Sequence, residues 1–303
     1  MRKPGSASNS RVWSTLALPK KISSAAEFER CIVTIRKAYT GNGGRKRRLL
    51  DLTYYLLGWM VGDAGKNFHK RLYMARFTLD LSRKHSQNLP LGDFVMSCIS
   101  MLGVPCGRIA DSPPRKRDRY GQYRWLSYFS EVFAWLHTAC LGLQPDQLTS
   151  YDPVKMDWLL TAPREAKLWF LRGIADSDGT VNARNRTVNI ITEPNSGLII
   201  ALLQSLGVRT GTWVSKGVDV VSISAANAMN LRIFNPIVET HRGRLLQRIG
   251  DARTYRGRWP GWLHSKVDGL VAAGLDAVQI RDALLETDHT YVTLRTIKSR
   301  AMK

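Results

Sequence analysis

Acidic residues are scarce: 24 Asp and Glu face 45 Lys and Arg over 303 residues, for a formal charge of +21 and a pI near 10.2. So little negative charge repels basic partners and concentrates the chain on polyanions, nucleic acid first among them. Long apolar runs are missing as well. None approaches the roughly 20 residues needed to span a bilayer, and no strongly amphipathic basic helix stands out to lie on one, so no membrane partner is expected. Cysteine is sparse: Cys31, Cys98, Cys106 and Cys140 form no CxxC pair, and the six histidines complete no zinc-ligand spacing. Four reduced thiols in an intracellular protein is the reading that follows, in the cytoplasm or on the nucleoid. An organellar site stays open, because the first 26 residues lack acids and carry Arg2, Lys3, Arg11, Lys20 and Lys21. They read as a transit peptide or as a flexible basic arm that touches DNA.

What is present is 44% hydrophobic, enough for two medium domains and a small appendage. Residues 1–48 read as a basic N-terminal extension with one helical stretch, Ala25 to Tyr39, and the cluster Arg45, Lys46, Arg47, Arg48. Apolar residues then fall at helical spacing from Leu49 to Gly62, and Arg71 to Leu81 alternates as a half-buried strand does. Leu91 to Leu102 reads as helix, Cys106 to Ala110 and Tyr123 to Tyr128 as strands, and Ser130 to Leu141 as helix.

The same order recurs after a linker through Gln144 to Pro153. Leu168 to Ala175 is predicted helix, Thr180 to Thr192 a hairpin, Ser196 to Leu206 helix, Thr212 to Ser215 and Val218 to Ser224 strands, and Ala226 to Val238 helix. The chain is therefore two copies of one αββαββα unit, at 49–150 and 151–258, in an α+β fold. Gly103 and Gly207 suit left-handed caps at the end of the second helix of each copy. Residues 259–303 form a third, helical piece: Trp262 to Ala273, Asp276 to Glu286 and Thr293 to Lys303 fit a helix-turn-helix or a plain helical hairpin, the last helix presenting Arg295, Lys298 and Arg300.

The first helix of each copy ends on a motif: Leu56-Leu-Gly-Trp-Met-Val-Gly-Asp63-Ala64 and Leu171-Arg-Gly-Ile-Ala-Asp-Ser-Asp178-Gly179. These resemble the two motif copies of single-chain LAGLIDADG homing endonucleases, over about residues 49 to 240. The resemblance implies a monomer with internal pseudo-two-fold symmetry, two motif helices side by side at its centre, and a saddle of strands gripping double-stranded DNA. The residues make physical sense in those places. Gly58 and Gly173 each cost about 1 kcal/mol relative to Ala inside a helix, so close backbone approach is the expected reason. An acid just past a helix C-terminus faces the negative end of the dipole, a conflict that cations relieve.

The family's catalytic acids fall on Asp63 and Asp178. Mg²⁺, or Mn²⁺ as its substitute, is the implied cofactor, held there with Ala64 and Gly179, to supply two-metal phosphodiester hydrolysis. Asp176 matches Val61 in the first copy and so reads as structural. Ala64 departs from the family's glycine. Lys66 and Lys216 are candidates for ordering water by position, with a solvated lysine as the competing reading. Arg76, Thr78, Asp80, Asn182, Arg184, Arg186, Thr187 and Asn189 are the expected DNA contacts on the strands. Arg115 to Arg119 and the cluster Arg242, Arg244, Arg248, Arg253, Arg256 and Arg258 are expected to meet phosphates.

Two other occupations of this fold stay open: an intron RNA maturase, and a transcriptional regulator that uses the C-terminal piece. Both acids favour cleavage, because neither alternative needs them. The termini carry no nucleophile or terminal Asn for protein splicing, so an intein is not expected.

Overall fold

The computed structural model describes residues 16–40, 46–115, 118–192, 194–254 and 259–301. The basic residues Arg2, Lys3, Arg11, Arg45, Arg256, Arg258 and Lys303 lie outside them, as do Lys116 and Arg117 and the side chains of Lys46, Arg47, Lys66 and Arg253.

Two helices at the centre organise everything else: α2 (Lys46–Val61) and α5 (Arg164–Asp178). Each carries apolar residues nearly all round. In α2 Tyr55, Leu56, Leu57, Trp59 and Met60 are fully buried, and in α5 Phe170, Leu171, Ile174 and Ala175 are. A helix apolar on every side belongs inside a core. The backbones cross at two glycines. A Cβ on Gly58 would sit 2.2 Å from the Phe170 carbonyl oxygen, and one on Gly173 would sit 2.1 Å from that of Tyr55.

The first half follows α2 with β1 (Gly65–His69), β2 (Met74–Ser82), α3 (Asn88–Met101), β3 (Cys106–Ser112), β4 (Gln122–Ser127) and α4 (Glu131–Trp135), which continues as a π-turn through Cys140. The second follows α5 with β5 (Gly179–Asn182), β6 (Thr187–Ile191), α6 (Ser196–Ser205), β7 (Gly211–Ser215), β8 (Val218–Ser224) and α7 (Ala225–Leu231). Both sheets are antiparallel with the same strand order, β1-β2-β4-β3 and β5-β6-β8-β7. Alternation sets their faces: Ala75, Phe77, Leu79 and Trp125 in one sheet, and Val188, Ile190, Val221 and Ile223 in the other, turn into the common core. The α3 and α6 helices end as expected on left-handed glycines, Gly103 at φ +80° and Gly207 at φ +78°.

The helical stretch expected in the N-terminal extension forms: α1 (Ala25–Thr40) buries Phe28, Ile32 and Ile35 in the main core. These residues recur at helical spacing, and Phe28 packs on Tyr54 and Trp158 with ring centroids 5.1 and 5.0 Å apart. The helix predicted over Ala226 to Val238 stops at Leu231. Arg232 is left-handed there, and the Asn235 side chain accepts hydrogen bonds from the Ile237 and Val238 amides, turning the chain. A further helix, α8 (His241–Asp251), was not foreseen. It is capped by the Thr240 side chain and sends Leu246 and Ile249 into the core.

The last residues build a second, smaller core from α9 (Gly261–Ala272), α10 (Ala277–Thr287) and α11 (Leu294–Ala301), with Leu263, Val267, Ile280, Leu284, Val292 and Ile297 inside. A parallel pair, β9 (Arg253–Thr254) with β10 (Thr290–Tyr291), ties this bundle to the end of α8, and the Tyr291 hydroxyl on the Arg184 carbonyl ties it to the β5–β6 turn. Asp276 and Gln279 form a reciprocal capping box at the start of α10. Replacing Asp276 with alanine is expected to cost about 1 kcal/mol. Amide exchange in α10 should then quicken about fivefold while α2 and α5 stay unchanged.

Candidate active site between two helix ends

The glycine crossing brings the C-terminal ends of α2 and α5 together. A Cβ on Gly62 would lie 1.9 Å from the Ser177 Oγ and 2.7 Å from an Asp178 carboxylate oxygen. The carboxyl groups of Asp63 and Asp178 come close enough across this junction for the charge of Asp63 to act on Asp178. They open on a cavity of about 460 Å³, walled by Thr149 to Tyr151 of the linker and by Ile191, Thr192 and Val218 of the second sheet.

The two acids are inequivalent. Asp63 is exposed, whereas Asp178 is largely enclosed. Burial first, then the Asp63 charge, raises the Asp178 carboxyl to about 8, and nearby Arg242 opposes the rise. A raised native pKa means that the folded chain takes up a proton the unfolded chain does not hold. Stability from this group is therefore present at acid pH and is lost as pH climbs from about 4 toward 8. Without divalent cations, Asp178→Asn should be progressively more stable than the native chain across that window and level off above it. Thermal unfolding at pH 5, 6.5 and 8 in chelator measures this; a pH-independent difference would refute it.

The helix ends are satisfied asymmetrically too. Thr149 donates to the Met60 carbonyl at 3.2 Å on the first, while on the second one Arg242 nitrogen reaches the carbonyls of Ala175, Asp176 and Ser177. Sequence reasoning assigned Arg242 to phosphate contact, but it is turned inward as a cationic cap on α5, where charge opposes the helix dipole. Asp176 is buried. It accepts from the Tyr55 hydroxyl at 2.8 Å and the Asn235 amide at 3.1 Å, tying α5 to α2 and to the turn after α7. Desolvation raises its carboxyl to about 7.

Ala64 is buried, with its amide on the Trp59 carbonyl, and Gly179 ends α5 in extended backbone as it enters β5. Two carboxyls with like charge, carbonyl-bearing turns and an open cavity are a hard, oxygen-rich donor set, which suits Mg²⁺ or Mn²⁺. Among the described residues no group of three or more His, Cys, Asp or Glu is placed to hold a metal ion. Lys216 sits in the two-residue turn between β7 and β8, where it and Gly217 both take positive φ, and Val218 at the end of that turn joins the wall of the acids' cavity.

The expected contact residues divide. Arg76, Thr78 and Asp80 stand on the outer face of the first sheet, where Asp80 pairs with Arg124 at 3.1 Å. Asn182, Thr187 and Asn189 share the outer face of the second sheet with Thr180. Asn189 is buried there and accepts from Thr187. Arg184 and Arg186 lie in the β5–β6 turn instead of on a strand. Arg186 is committed inward: it donates to the Ile249 carbonyl at 2.8 Å and stacks over Tyr291. Arg115 and Arg119 are exposed on the β3–β4 loop, and Arg244 and Arg248 on α8 pair with Glu239 and Glu286. Sequence reasoning missed Thr149, Tyr151 and Ile191, which reach the cavity only through the fold.

No protein-family model and no curated protein matches the chain. Several solved structures resemble it. I-DmoI in complex with DNA and Mn is 15% identical, with a TM-score of 0.43, over 63% of this chain and 99% of that one. The homing endonuclease I-WcaI bound to its DNA recognition sequence is 13% identical at 0.48, over 78% and 97%. Full-length DUF199/WhiA from Thermatoga maritima is 13% identical at 0.44, over 89% and 94%.

Proposed function

We propose that the chain is a site-specific double-stranded DNA endonuclease of the LAGLIDADG type, hydrolysing phosphodiester bonds at a long target site and serving intron homing as a monomer. One observation carries this reading: Asp63 and Asp178, the last acids of the two motif copies, come together over a glycine crossing and face an open cavity. A maturase or regulator built on this scaffold gains nothing from that junction, and it is costly to maintain because burial and like charge both oppose it.

The carboxylates of Asp63 and Asp178, with the backbone at Ala64 and Gly179, would hold Mg²⁺ or Mn²⁺. When bound, such ions lower the pKa of water and stabilise the charge that develops on the leaving oxygen. The chain's own part is placement. The glycine crossing sets the spacing of the acids, Thr149 and Arg242 satisfy the carbonyls behind them, and the outer faces of both sheets receive the duplex. The surplus of basic residues supplies most of the affinity, which makes binding salt-dependent. The test is Mg²⁺-dependent cutting of a cloned library that carries intronless host loci. Discrete double-strand ends at one sequence support the reading; salt-sensitive binding with no cutting at any Mg²⁺ or Mn²⁺ concentration refutes it.

A further inference from the structure

Strand registers allow the outer faces of the two sheets to be compared row by row. Gly65 pairs with Thr78, and Thr180, which holds the same place after the second acid, pairs with Asn189. Two residues further along β2 and β6, the next equivalent row is Asp80–Arg124–Ile109 in the first half and Ile191–Val220–Trp213 in the second. One row is centred on an ion pair. The other is wholly apolar.

This apolar row is not part of the core. Ile191 is 41% exposed and Trp213 48%. Val220 is buried yet lies outside the core cluster that holds its neighbours Val221 and Ile223, on the strand face it shares with Ile191 and Trp213. The row is also continuous with the acids: Ile191 lines the same cavity as Asp63 and Asp178. Two large apolar side chains facing water beside that cavity, on a chain of charge +21, call for an apolar feature carried by a polyanion. The major groove offers one, the C5-methyl group of thymine.

We infer that Ile191 and Trp213 are specificity-determining residues that read thymine methyl groups in one half of the target, while the equivalent row at Asp80 and Arg124 reads the other half by hydrogen bonding. The inference rests on the DNA-binding reading above and deepens it. Its consequence is a target whose halves differ in chemistry despite the near-symmetry of the fold.

The experiment selects duplexes from one randomised library amplified in parallel with thymine and with uracil, which lacks only the methyl, using the full chain in chelator. The expected result is thymine enrichment on one side of the site centre. Affinity should fall about fourfold for each contacted methyl deleted, the worth of one buried methyl. Ile191→Ala and Trp213→Ala, both at exposed positions where folding is not at stake, should each lower that enrichment and leave the selected sequence of the other half intact. Equal binding of thymine and uracil duplexes, or an unchanged thymine preference in both variants, overturns the inference while leaving DNA binding standing. Failure to retain either library overturns the DNA-binding reading itself.

Discussion

Asp63→Asn and Asp178→Asn are each expected to reduce DNA cleavage by about a thousandfold or more, while binding of the same duplex persists. The asymmetry follows from where the energy comes from. Cleavage needs anionic oxygen at the helix junction, and an amide of the same shape offers a weaker, neutral donor set. On the proposed reading affinity would come from Lys and Arg meeting phosphates, so neither acid would contribute to it. In chelator near neutral pH Asp178→Asn should bind as tightly as the native chain, because its carboxyl, raised to about 8, already holds its proton. Single-turnover cleavage beside filter-binding or anisotropy titrations at fixed salt separates the two effects. Loss of binding together with cleavage would make the acids structural.

The second large effect concerns the crossing. Gly58→Ala and Gly173→Ala each place a methyl 2.2 or 2.1 Å from a backbone carbonyl oxygen of the opposite helix, with the partner glycine Cα 2.9 Å away. Neither neighbour is a flexible side chain, so the helices must separate. Overpacking of this kind costs about 1–3 kcal/mol and more when backbone must move, partly offset by the roughly 1 kcal/mol that alanine gains over glycine in a helix. A net loss of about 2–3 kcal/mol should lower Tm by about 5–10 °C. Cleavage should fall further than stability explains, because the same displacement pulls Asp63 from Asp178. Gly269→Ala in α9, which meets nothing within 4 Å, is the control and should stabilise slightly. A crossing variant with unchanged Tm would show that the helices can part without cost.

Much of this was open to reading along the chain. The duplicated order of elements, the two acids, the two helical glycines and the left-handed caps at Gly103 and Gly207 are local signals: a period, a spacing, or a residue type that one backbone conformation demands. The division of the C-terminal bundle into three helices was legible for the same reason. Helix α1 was legible as a helix but not as part of the core, since its partners Tyr54 and Trp158 lie 26 and more residues away.

By itself, then, the amino-acid order determined the repeat, the motif helices and which carboxyls would close them. Only the tertiary structure decided how the charged and apolar surface is spent. Arg242 and Arg186 look in sequence like members of a basic cluster, yet one caps α5 and the other stacks on Tyr291, because the carbonyls and the ring they serve come from elsewhere in the chain. Asn189 reads as a surface amide and is buried. Ile191 and Trp213 read as ordinary strand residues, and their exposure beside the acids depends on which face of β6 and β7 the core occupies. Period and propensity act between residues a few positions apart, whereas burial and electrostatic partnership depend on contacts that exist only once distant segments meet.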